Sequence, residues 1–265
     1  MQIVADNLHV IHPVIAEAVM RMDPEPIQAW VLRCLKAGAQ AIDINSGPLP
    51  RRPQKRFAFL VETVQAICPL PLVLDTTNPQ ALEAGLAVCN VPSIINGFSM
   101  EPQKLDRILP LAAKYDSDII GYLIDSKSQV PTESDDMMAL AVELLDACTA
   151  AGVPAQRLII DPVVAPLSWQ NGTRHNQAVL SVIRNLPDLL DAPVRTIAGL
   201  SNLVSGPHSM DYKVTLQNAY LPMLAAAGLD LVLMNVLHAP VVRTARACSA
   251  LVSDNILSWE QIDGF

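Results

Sequence analysis

Short apolar, β-branched runs recur along the chain, and most of them stop at an Asp or an Asn. Continuous apolar runs of this length are typical of parallel strands that are buried on both faces. They predict eight strands, over residues 3–5, 41–45, 72–75, 93–96, 119–124, 158–161, 196–198 and 231–234.

Amphipathic segments with helical periodicity separate these strands. In LKAGAQ, ACTAAGVP and LAAAGLD a Gly follows the last apolar turn, which is typical of a helix C-terminus. The alternation predicts an α/β fold, a single (β/α)8 TIM barrel in which residues 1–265 form one domain. The alternative is an open doubly wound sheet, but no strand is followed by a GxGxxG or Walker sequence. The helices are predicted over residues 27–37, 53–67, 81–88, 104–114, 134–151 and 214–227.

The polar residues that end the strands indicate a candidate site in addition to a fold. In a parallel barrel every strand delivers its last residue to the same rim, so these side chains are expected to meet there. Asp and Asn are also common helix N-caps and turn formers, which is the alternative for each residue alone. Their repetition favours a site, and acceptors and donors with almost no cations suit a polar heterocycle. The loops 125–133, 165–176 and 202–212 either carry function at this face or only cover it.

Composition and charge exclude several classes of function. The net charge of −8 and the pI near 5.0 argue against nucleic acid as a partner, because phosphates need clustered cations. No apolar stretch approaches the ~18 residues of a membrane span, and the first residues do not resemble a signal peptide. We therefore expect a cytoplasmic protein that does not act at a membrane.

Charged, cysteine and histidine residues add little evidence for other chemistry. The one dense basic run is either a solvated helix start or a handle for an anionic ligand tail. The five cysteines form no CxxC and predict reduced core residues, and the histidines have no short metal-binding spacing, so no bound metal is expected. The basic run is Arg51, Arg52, Lys55 and Arg56, and the cysteines are Cys34, Cys68, Cys89, Cys148 and Cys248.

Five motifs carry a resemblance to a known family. AIDINSG, LDTTN, IIN, IIDP and GLSN, in this order and at this spacing, resemble the pterin-binding methyltransferases that move a methyl group between tetrahydrofolate and a corrinoid protein. Dihydropteroate synthases are more distant relatives, and the resemblance covers residues 1–242. It implies that Asp75, Asn96 and Asp161 hydrogen-bond the pterin. The chemistry agrees, because carboxylates accept hydrogen bonds and carboxamides both donate and accept.

The resemblance also implies a catalytic role for Asn202 in GLSN. Methyl transfer makes N5 of tetrahydrofolate a leaving group, which needs a proton or a strong hydrogen bond as the bond breaks. A neutral carboxamide can donate that hydrogen bond without competing for the proton. Asp43 and Asn45 lie two apart on one strand, hence on one face, and are expected beside the ring, although Asn45 also suits a turn. Ser201 and Asn235 are secondary pterin-binding candidates.

The implied substrates are tetrahydrofolate or methyltetrahydrofolate and a cobalamin carried by a separate corrinoid protein, because this chain has no DxHxxG sequence. The direction of transfer is open. A homodimer is expected, with Trp30, Trp169 and Trp259 as candidate interface residues, although core packing suits Trp30 better. The chain has ADNLH where the family usually has a GERIN-like sequence, and it lacks the family's NRxxxNRTF-like run after GLSN.

Two other functions stay open at this point. A dihydropteroate synthase-like enzyme would need cations near the seventh strand to accept pyrophosphate, and GLSN offers none. A non-catalytic pterin-binding protein would keep the pocket and lose turnover, and the altered first and seventh loops are its support. An unrelated aldolase or hydrolase barrel would need a Lys on a strand or carboxylates around a metal, and no predicted strand contains Lys.

Overall fold

Eight parallel strands pair in sequence order and close into a barrel, with the last strand hydrogen-bonded to the first. The computed structural model describes residues 1–49 and 51–253. This architecture confirms the predicted (β/α)8 barrel. The strands are β1 (Gln2–His9), β2 (Ala41–Asn45), β3 (Leu72–Asp75), β4 (Ser93–Phe98), β5 (Asp118–Tyr122), β6 (Leu158–Asp161), β7 (Arg195–Gly199) and β8 (Leu231–Met234).

Helices connect the strands on the outside of the barrel, and local signals in the sequence set their ends. Asp23 and Asn78 accept backbone hydrogen bonds from Glu25 and Ala81 at the first turns of two helices. Gly38 ends the helix that Asp23 begins, and Gly228 ends another, both in the left-handed conformation that glycine adopts without strain. The helices are α1 (Pro13–Arg21), α2 (Pro24–Ala37), α3 (Pro53–Gln65), α4 (Pro79–Val88), α5 (Pro102–Arg107), α6 (Leu109–Tyr115), α7 (Ser134–Ala150), α8 (Gly172–Leu190), α9 (Met210–Ala227) and α10 (Ala239–Leu251).

The barrel interior is filled by a layer of apolar side chains, one from each strand. Because side chains alternate between the two faces of a strand, the residue two positions later on each strand also points inward. A buried plug therefore underlies a second inward layer at the carboxyl ends of the strands. The plug consists of Val4, Ala41, Val73, Ile94, Ile120, Ile159, Ile197 and Leu231.

Several predicted boundaries are wrong. The predicted strand 119–124 ends two residues too late, because the chain leaves the sheet after Tyr122. The predicted strand 3–5 is too short, since β1 continues through a register shift to His9. The predicted helix 104–114 is two helices, because Pro110 cannot donate a backbone hydrogen bond and starts a new first turn.

Helices α1, α8 and α10 lie outside the segments that were named as helical, and α8 and α9 account for part of the predicted loops. The predicted loop 165–176 ends in the first turn of α8, and the predicted loop 202–212 begins in a 3-10 helix, Leu200–Val204, and ends in α9. Pro187 lies inside α8 and removes one hydrogen-bond donor from it. Both segments nevertheless lie at the carboxyl ends of the strands, where the cavity opens.

The remaining expectations concern individual side chains. The cysteines are free and lie in or against the core, with Cys89 half-buried. Trp30 packs against the core, Trp169 is exposed, and Trp259 lies outside the described residues. Within the described ranges, none of the helices combines the length and the apolarity that crossing a membrane would require.

Candidate functional site

A cavity of about 770 Å³ opens at the carboxyl ends of the strands, directly above the apolar plug. This volume lies in the range of cavities that hold a drug-sized ligand. Every strand contributes the residue that follows its plug residue by two positions. This upper layer consists of Asp6, Asp43, Asp75, Asn96, Tyr122, Asp161, Gly199 and Leu233.

Asp75 ends β3 and is held in place by the neighbouring strand. The side-chain amide of Asn45 donates a hydrogen bond to Oδ2 of Asp75, and Oδ1 of Asn45 accepts from the backbone N–H of Gly47 at 3.1 Å. Both polar atoms of the Asn45 side chain are therefore hydrogen-bonded within the protein, and its amide orients the Asp75 carboxyl. Asp43, one inward position earlier on β2, is 3% exposed, and its Oδ1 is a buried acceptor without a partner among the described residues.

Asn96 stands on β4 between two side chains of the same layer. Its Oδ1 accepts a hydrogen bond from the Tyr122 hydroxyl, and its side chain also hydrogen-bonds Asp43. The next residue must be glycine for a steric reason, because a Cβ on Gly97 would lie 2.4 Å from the backbone oxygen of Ile120. The close approach of β4 and β5 thus brings Asn96 and Tyr122 into contact at the cavity floor.

Asp161 ends β6 and is braced by the loop that follows it. Its Oδ1 accepts a hydrogen bond from the backbone N–H of Val163 at 2.7 Å, and Val163 adopts a positive φ of 61° that β-branched residues rarely adopt. The buried His175 contacts the Val163 carbonyl through Nε2 at 2.7 Å. The side chain of Asn176 accepts a hydrogen bond from the backbone N–H of Ala165 and donates one to its carbonyl oxygen, both at 2.9 Å. These contacts fix one oxygen of Asp161 and leave Oδ2 facing the cavity layer.

Asn202 lies in the 3-10 helix after β7 and is exposed at the cavity. Its carboxamide makes no hydrogen bond to any residue that the structure describes, and it lies over Gly199. The preceding Ser201 donates a hydrogen bond to Oδ2 of Asp6 on β1. The loop that carries Asn202 is therefore anchored beside it, while the carboxamide itself is free to change partners.

Protein neighbours engage both ends of the Asn235 carboxamide. Its Oδ1 accepts from Nδ2 of Asn7 at 2.6 Å and from the backbone N–H of Leu237 at 2.9 Å. Its Nδ2 lies 3.3 Å from Nε2 of His238. Asn7 also accepts from the backbone N–H of Val236 at 2.9 Å, so Asn7 and Asn235 join β1 to the chain after β8.

Four carboxyl groups share this water-poor layer, and burial perturbs each of them. Burial raises the pKa of Asp75 to about 6 and the pKa of Asp161 to about 7. Burial, followed by the charges of Asp75 and Asp6, raises the pKa of Asp43 well above its ordinary value. Burial also raises the pKa of Asp6, against hydrogen bonding from Ser201. Near neutral pH the layer can therefore both donate and accept protons in hydrogen bonds.

All eight predicted site residues line this one cavity. Asn45 and Asn235 are hydrogen-bonded to protein neighbours, whereas Asp43 has an oxygen without a partner among the described residues, and the binding role of each residue stays a prediction. The basic run at 51–56 lies on the surface and contributes nothing to the cavity lining, which favours the solvated helix start. No group of three potential metal ligands lies close together in the ranges 1–49 and 51–253.

The sequence interpretation missed other lining residues. Asp6 and Tyr122 follow plug residues by two positions, so the period of the strand carried the signal once β1 and β5 had correct ends. Gly199 likewise ends the inward face of β7. Leu233 holds the same position on β8. Asn7 and His9 lie on β1 beyond the predicted end of that strand. The rest come from segments without a strand pattern, so no local signal identified them: His12, Trp30, Leu237 and His238.

Comparison with known proteins identifies the class. The model of the pterin-binding enzyme family matches residues 15–236, and the chain belongs to this family. A methylcorrinoid:tetrahydrofolate methyltransferase from Eubacterium limosum is 24% identical over 261 residues, which cover 97% of this chain and 93% of that protein. A methionine synthase from Mycobacterium leprae is 23% identical over 202 residues, 74% of this chain and 17% of that protein.

Solved structures agree on the fold. A Xanthomonas albilineans dihydropteroate synthase with 4-aminobenzoic acid superposes with a TM-score of 0.69 at 19% identity, covering 95% of this chain and 93% of that chain. The same enzyme with 7,8-dihydropteroate gives a TM-score of 0.68 at 21% identity, covering 96% and 94%. At these identities the likeness shows a shared barrel. The expected resemblance to the pterin-binding family is confirmed, and the chain is similar to transferases.

Proposed function

We propose that this protein is a methyltransferase that moves a methyl group between N5 of tetrahydrofolate and the cobalt of a corrinoid carried by a partner protein. One observation carries the proposal: a wall of carboxyl and carboxamide groups faces the same cavity as the unbonded carboxamide of Asn202. The Eubacterium limosum relative, whose name states this reaction, supports it because the match runs along nearly the whole of both chains.

The wall suits the reduced pterin ring. The ring presents an amino group, N–H donors and a carbonyl, and the free oxygens of Asp43, Asp75 and Asp161 supply acceptors, while the amide of Asn96 can donate. In this proposal Asn45 and Tyr122 position Asp75 and Asn96 and do not contact the ring's polar edge themselves. Ser201 acts in the same way, by anchoring the loop that carries Asn202.

Asn202 would assist the step in which the methyl group leaves N5. The N5–methyl bond breaks with its electron pair left on nitrogen, the cobalt(I) electron pair forms the new bond to carbon, and N5 takes up a proton from solvent. The carboxamide Nδ2 of Asn202 donates to N5 as that pair develops, which stabilises the transition state more than the ground state. The same contacts serve the reverse reaction, so the proposal does not depend on direction.

The charge of the cavity separates this function from dihydropteroate synthesis. Displacing pyrophosphate calls for cations, and no Lys or Arg is among the described residues that line the cavity. We expect the purified protein to bind methyltetrahydrofolate and to form no dihydropteroate from dihydropterin pyrophosphate and 4-aminobenzoate. Formation of dihydropteroate would contradict the proposal. Binding without any methyl transfer to a corrinoid protein would support the non-catalytic alternative.

The proposal implies partners and an assembly. A corrinoid protein would dock at the carboxyl ends of the strands, because the cavity opens there. We further propose a cytoplasmic homodimer of single-domain chains, and Trp169, which is 57% exposed, is the tryptophan that a contact between copies would bury. Sedimentation of the wild type and of Trp169→Ala tests the dimer, and a monomeric wild type would contradict it.

A further inference from the structure

Three histidines line one side of the cavity, and the proposed methyl transfer uses none of them. His9 ends β1, His12 precedes α1 and His238 precedes α10, so these residues lie on the side of the barrel where β1 and β8 are neighbours. The pterin-binding wall runs around the rest of the barrel from β2, which pairs with β1, to β6. All three rings are lining residues of the same cavity, although His238 is far from His9 and His12 in the sequence. We call this group the histidine rim.

Each imidazole of the histidine rim has a buried Nδ1 with no hydrogen-bond partner among the described residues. Buried polar atoms without a partner are rare in folded proteins. For His238, the neighbouring residues determine which ring nitrogen carries the hydrogen. Oδ1 of Asn235 already accepts from two N–H donors, so Nδ2 of Asn235 is the atom that donates to Nε2 of the His238 ring. A neutral His238 ring therefore carries its hydrogen on Nδ1, a donor without a partner among the described residues.

The histidine rim also differs in charge from the rest of the cavity. The pterin-binding wall carries Asp43, Asp75 and Asp161, which repel anions when they are ionised. Among the described lining residues, only the three histidines can carry a positive charge. The Arg33 guanidinium lies 4.6 Å from the centroid of the Trp30 ring, and the Trp30 ring in turn contacts the His12 ring at 4.4 Å between centroids. An anionic group entering this cavity is therefore favoured on the histidine side.

We propose that the histidine rim binds the glutamate carboxylates of the folate substrate, an inference that rests on the proposed function. The direction follows from the ligand's own structure. N5 lies next to C6, which carries the benzoyl-glutamate tail, so a ring that presents N5 to Asn202, just after β7, sends its tail away from the acidic wall. The strands that follow β7 around the barrel are β8 and β1. His9, His12 and His238 lie at the carboxyl ends of these two strands.

The surroundings of the histidine rim suit the rest of the tail. Leu233, Leu237 and Trp30 supply the large apolar lining surface outside the pterin wall, and they lie on the same side. They give the benzoyl ring an apolar contact between the pterin and the carboxylates. Asp6 is the one acid beside the rim, where the positive forms of His9 and His238 lower its pKa. Burial raises that pKa more strongly, so Asp6 repels a carboxylate less than a surface aspartate would.

The test compares two ligands that differ only in the glutamate. Dissociation constants of 5-methyltetrahydrofolate and 5-methyltetrahydropteroate, which lacks glutamate, are measured by calorimetry for the wild type and for the triple variant His9→Gln, His12→Gln, His238→Gln. We expect the wild type to prefer the folate about tenfold or more. In the triple variant that preference falls to about twofold or less, while the affinity for the pteroate, which also reports correct folding, stays within about threefold.

Two further variants complete the design. His208→Gln is the matched control, because His208 is exposed and does not line this cavity, so the tenfold preference should persist. If the triple variant does not fold, His12→Gln alone is used, since its ring makes no hydrogen bond to a described residue, and at least a threefold loss of preference is expected. Equal affinity of the wild type for both ligands, or an unchanged preference in the triple variant or in His12→Gln, overturns the proposed role of the histidine rim and leaves the proposed function in place. Failure of the wild type to bind either ligand overturns the proposed function together with it.

Discussion

The carboxamide of Asn202 rests over the bare backbone of Gly199, so that a Cβ on Gly199 would lie 3.1 Å from Asn202 Nδ2. Gly199 has an ordinary φ of −80°, which any residue can adopt. Its lack of a side chain therefore matters for space and not for backbone conformation. The space it leaves lets the Asn202 carboxamide lie at the edge of the polar layer.

Gly199→Ala should displace the Asn202 carboxamide without straining the strand. We expect kcat for methyl transfer to fall about 10- to 100-fold, because small misplacements of a group that acts on the transition state are costly. In an Asn202→Ala background the same change should cost less than about twofold, since the group it displaces is already absent. Equal losses in both backgrounds would show that Gly199 acts on the ligand directly.

Asn202→Ala should reduce turnover far more than binding. The group is exposed and has no hydrogen bond to a described residue, so its removal leaves no buried partner unsatisfied. We expect kcat to fall about 100- to 1000-fold, with less than about a threefold change in the dissociation constant of methyltetrahydrofolate. Asn185→Ala, on the exposed surface of α8, is the control. A parallel loss of affinity would assign Asn202 to substrate binding.

The affinity for methyltetrahydrofolate should rise with pH across the acidic range. The ring's N–H donors are bound best by ionised carboxylates, and burial raises the pKa of Asp75 to about 6 and of Asp161 to about 7. We expect binding to strengthen between pH 5.5 and 7.5 and to level off above that range. Calorimetric titrations at four pH values measure this. Affinity that is highest at pH 5.5 would contradict the assigned acceptors.

Asp161→Asn should stabilise the free protein at alkaline pH and lower its affinity for methyltetrahydrofolate. Because the folded-state pKa of Asp161 is raised to about 7, its contribution to stability is present below the ordinary pKa near 4 and is lost as pH rises to 7. The amide keeps an acceptor for the Val163 N–H and carries no buried charge. We expect the Tm at pH 8 to rise by about 3 °C or more, and the gain to vanish at pH 4.

The measurement is thermal unfolding of the free protein at both pH values, with Asp146→Asn on the exposed face of α7 as the control. The control should change Tm by less than about 1 °C at either pH, because surface substitutions have small effects. Lower stability of Asp161→Asn at pH 8 would mean that the carboxylate is favoured where it is. The same variants, titrated with methyltetrahydrofolate, should show that only Asp161→Asn weakens binding.

The strand-end pattern predicted the barrel and six of the cavity's residues because both depend on local sequence, and Asp43 and Ser201 were added from their positions beside Asn45 and Asn202 in two motifs. A strand that is buried on both faces is apolar, and an inward residue that faces a polar ligand is polar, as it is on six of the eight strands. Asp6 and Tyr122 were missed since the predicted ends of β1 and β5 were wrong by a few residues. With an error of this size, the prediction does not show which residues face the barrel interior, even when the strand itself is correctly identified.

Other features of the site depend on contacts between distant segments, which no local pattern reports. Asn45 has the same motif position whether it binds a ligand or Asp75, and only the pairing of β2 with β3 decides. The histidine rim assembles from β1 and from the chain after β8, which are 229 residues apart between His9 and His238. Such sites need the closed barrel before their members can be grouped.

The central claim is methyl transfer, and one spectroscopic experiment tests it most directly. The purified protein is mixed under strict anaerobiosis with methyltetrahydrofolate and photoreduced cob(I)alamin, and the visible spectrum is followed for loss of cobalt(I) and growth of methylcobalamin. We predict enzyme-dependent growth that Asn202→Ala reduces about 100-fold or more. No growth with cob(I)alamin or with a reduced corrinoid protein, from an enzyme that still binds methyltetrahydrofolate, would contradict the account and leave a protein that binds a pterin without transferring its methyl group.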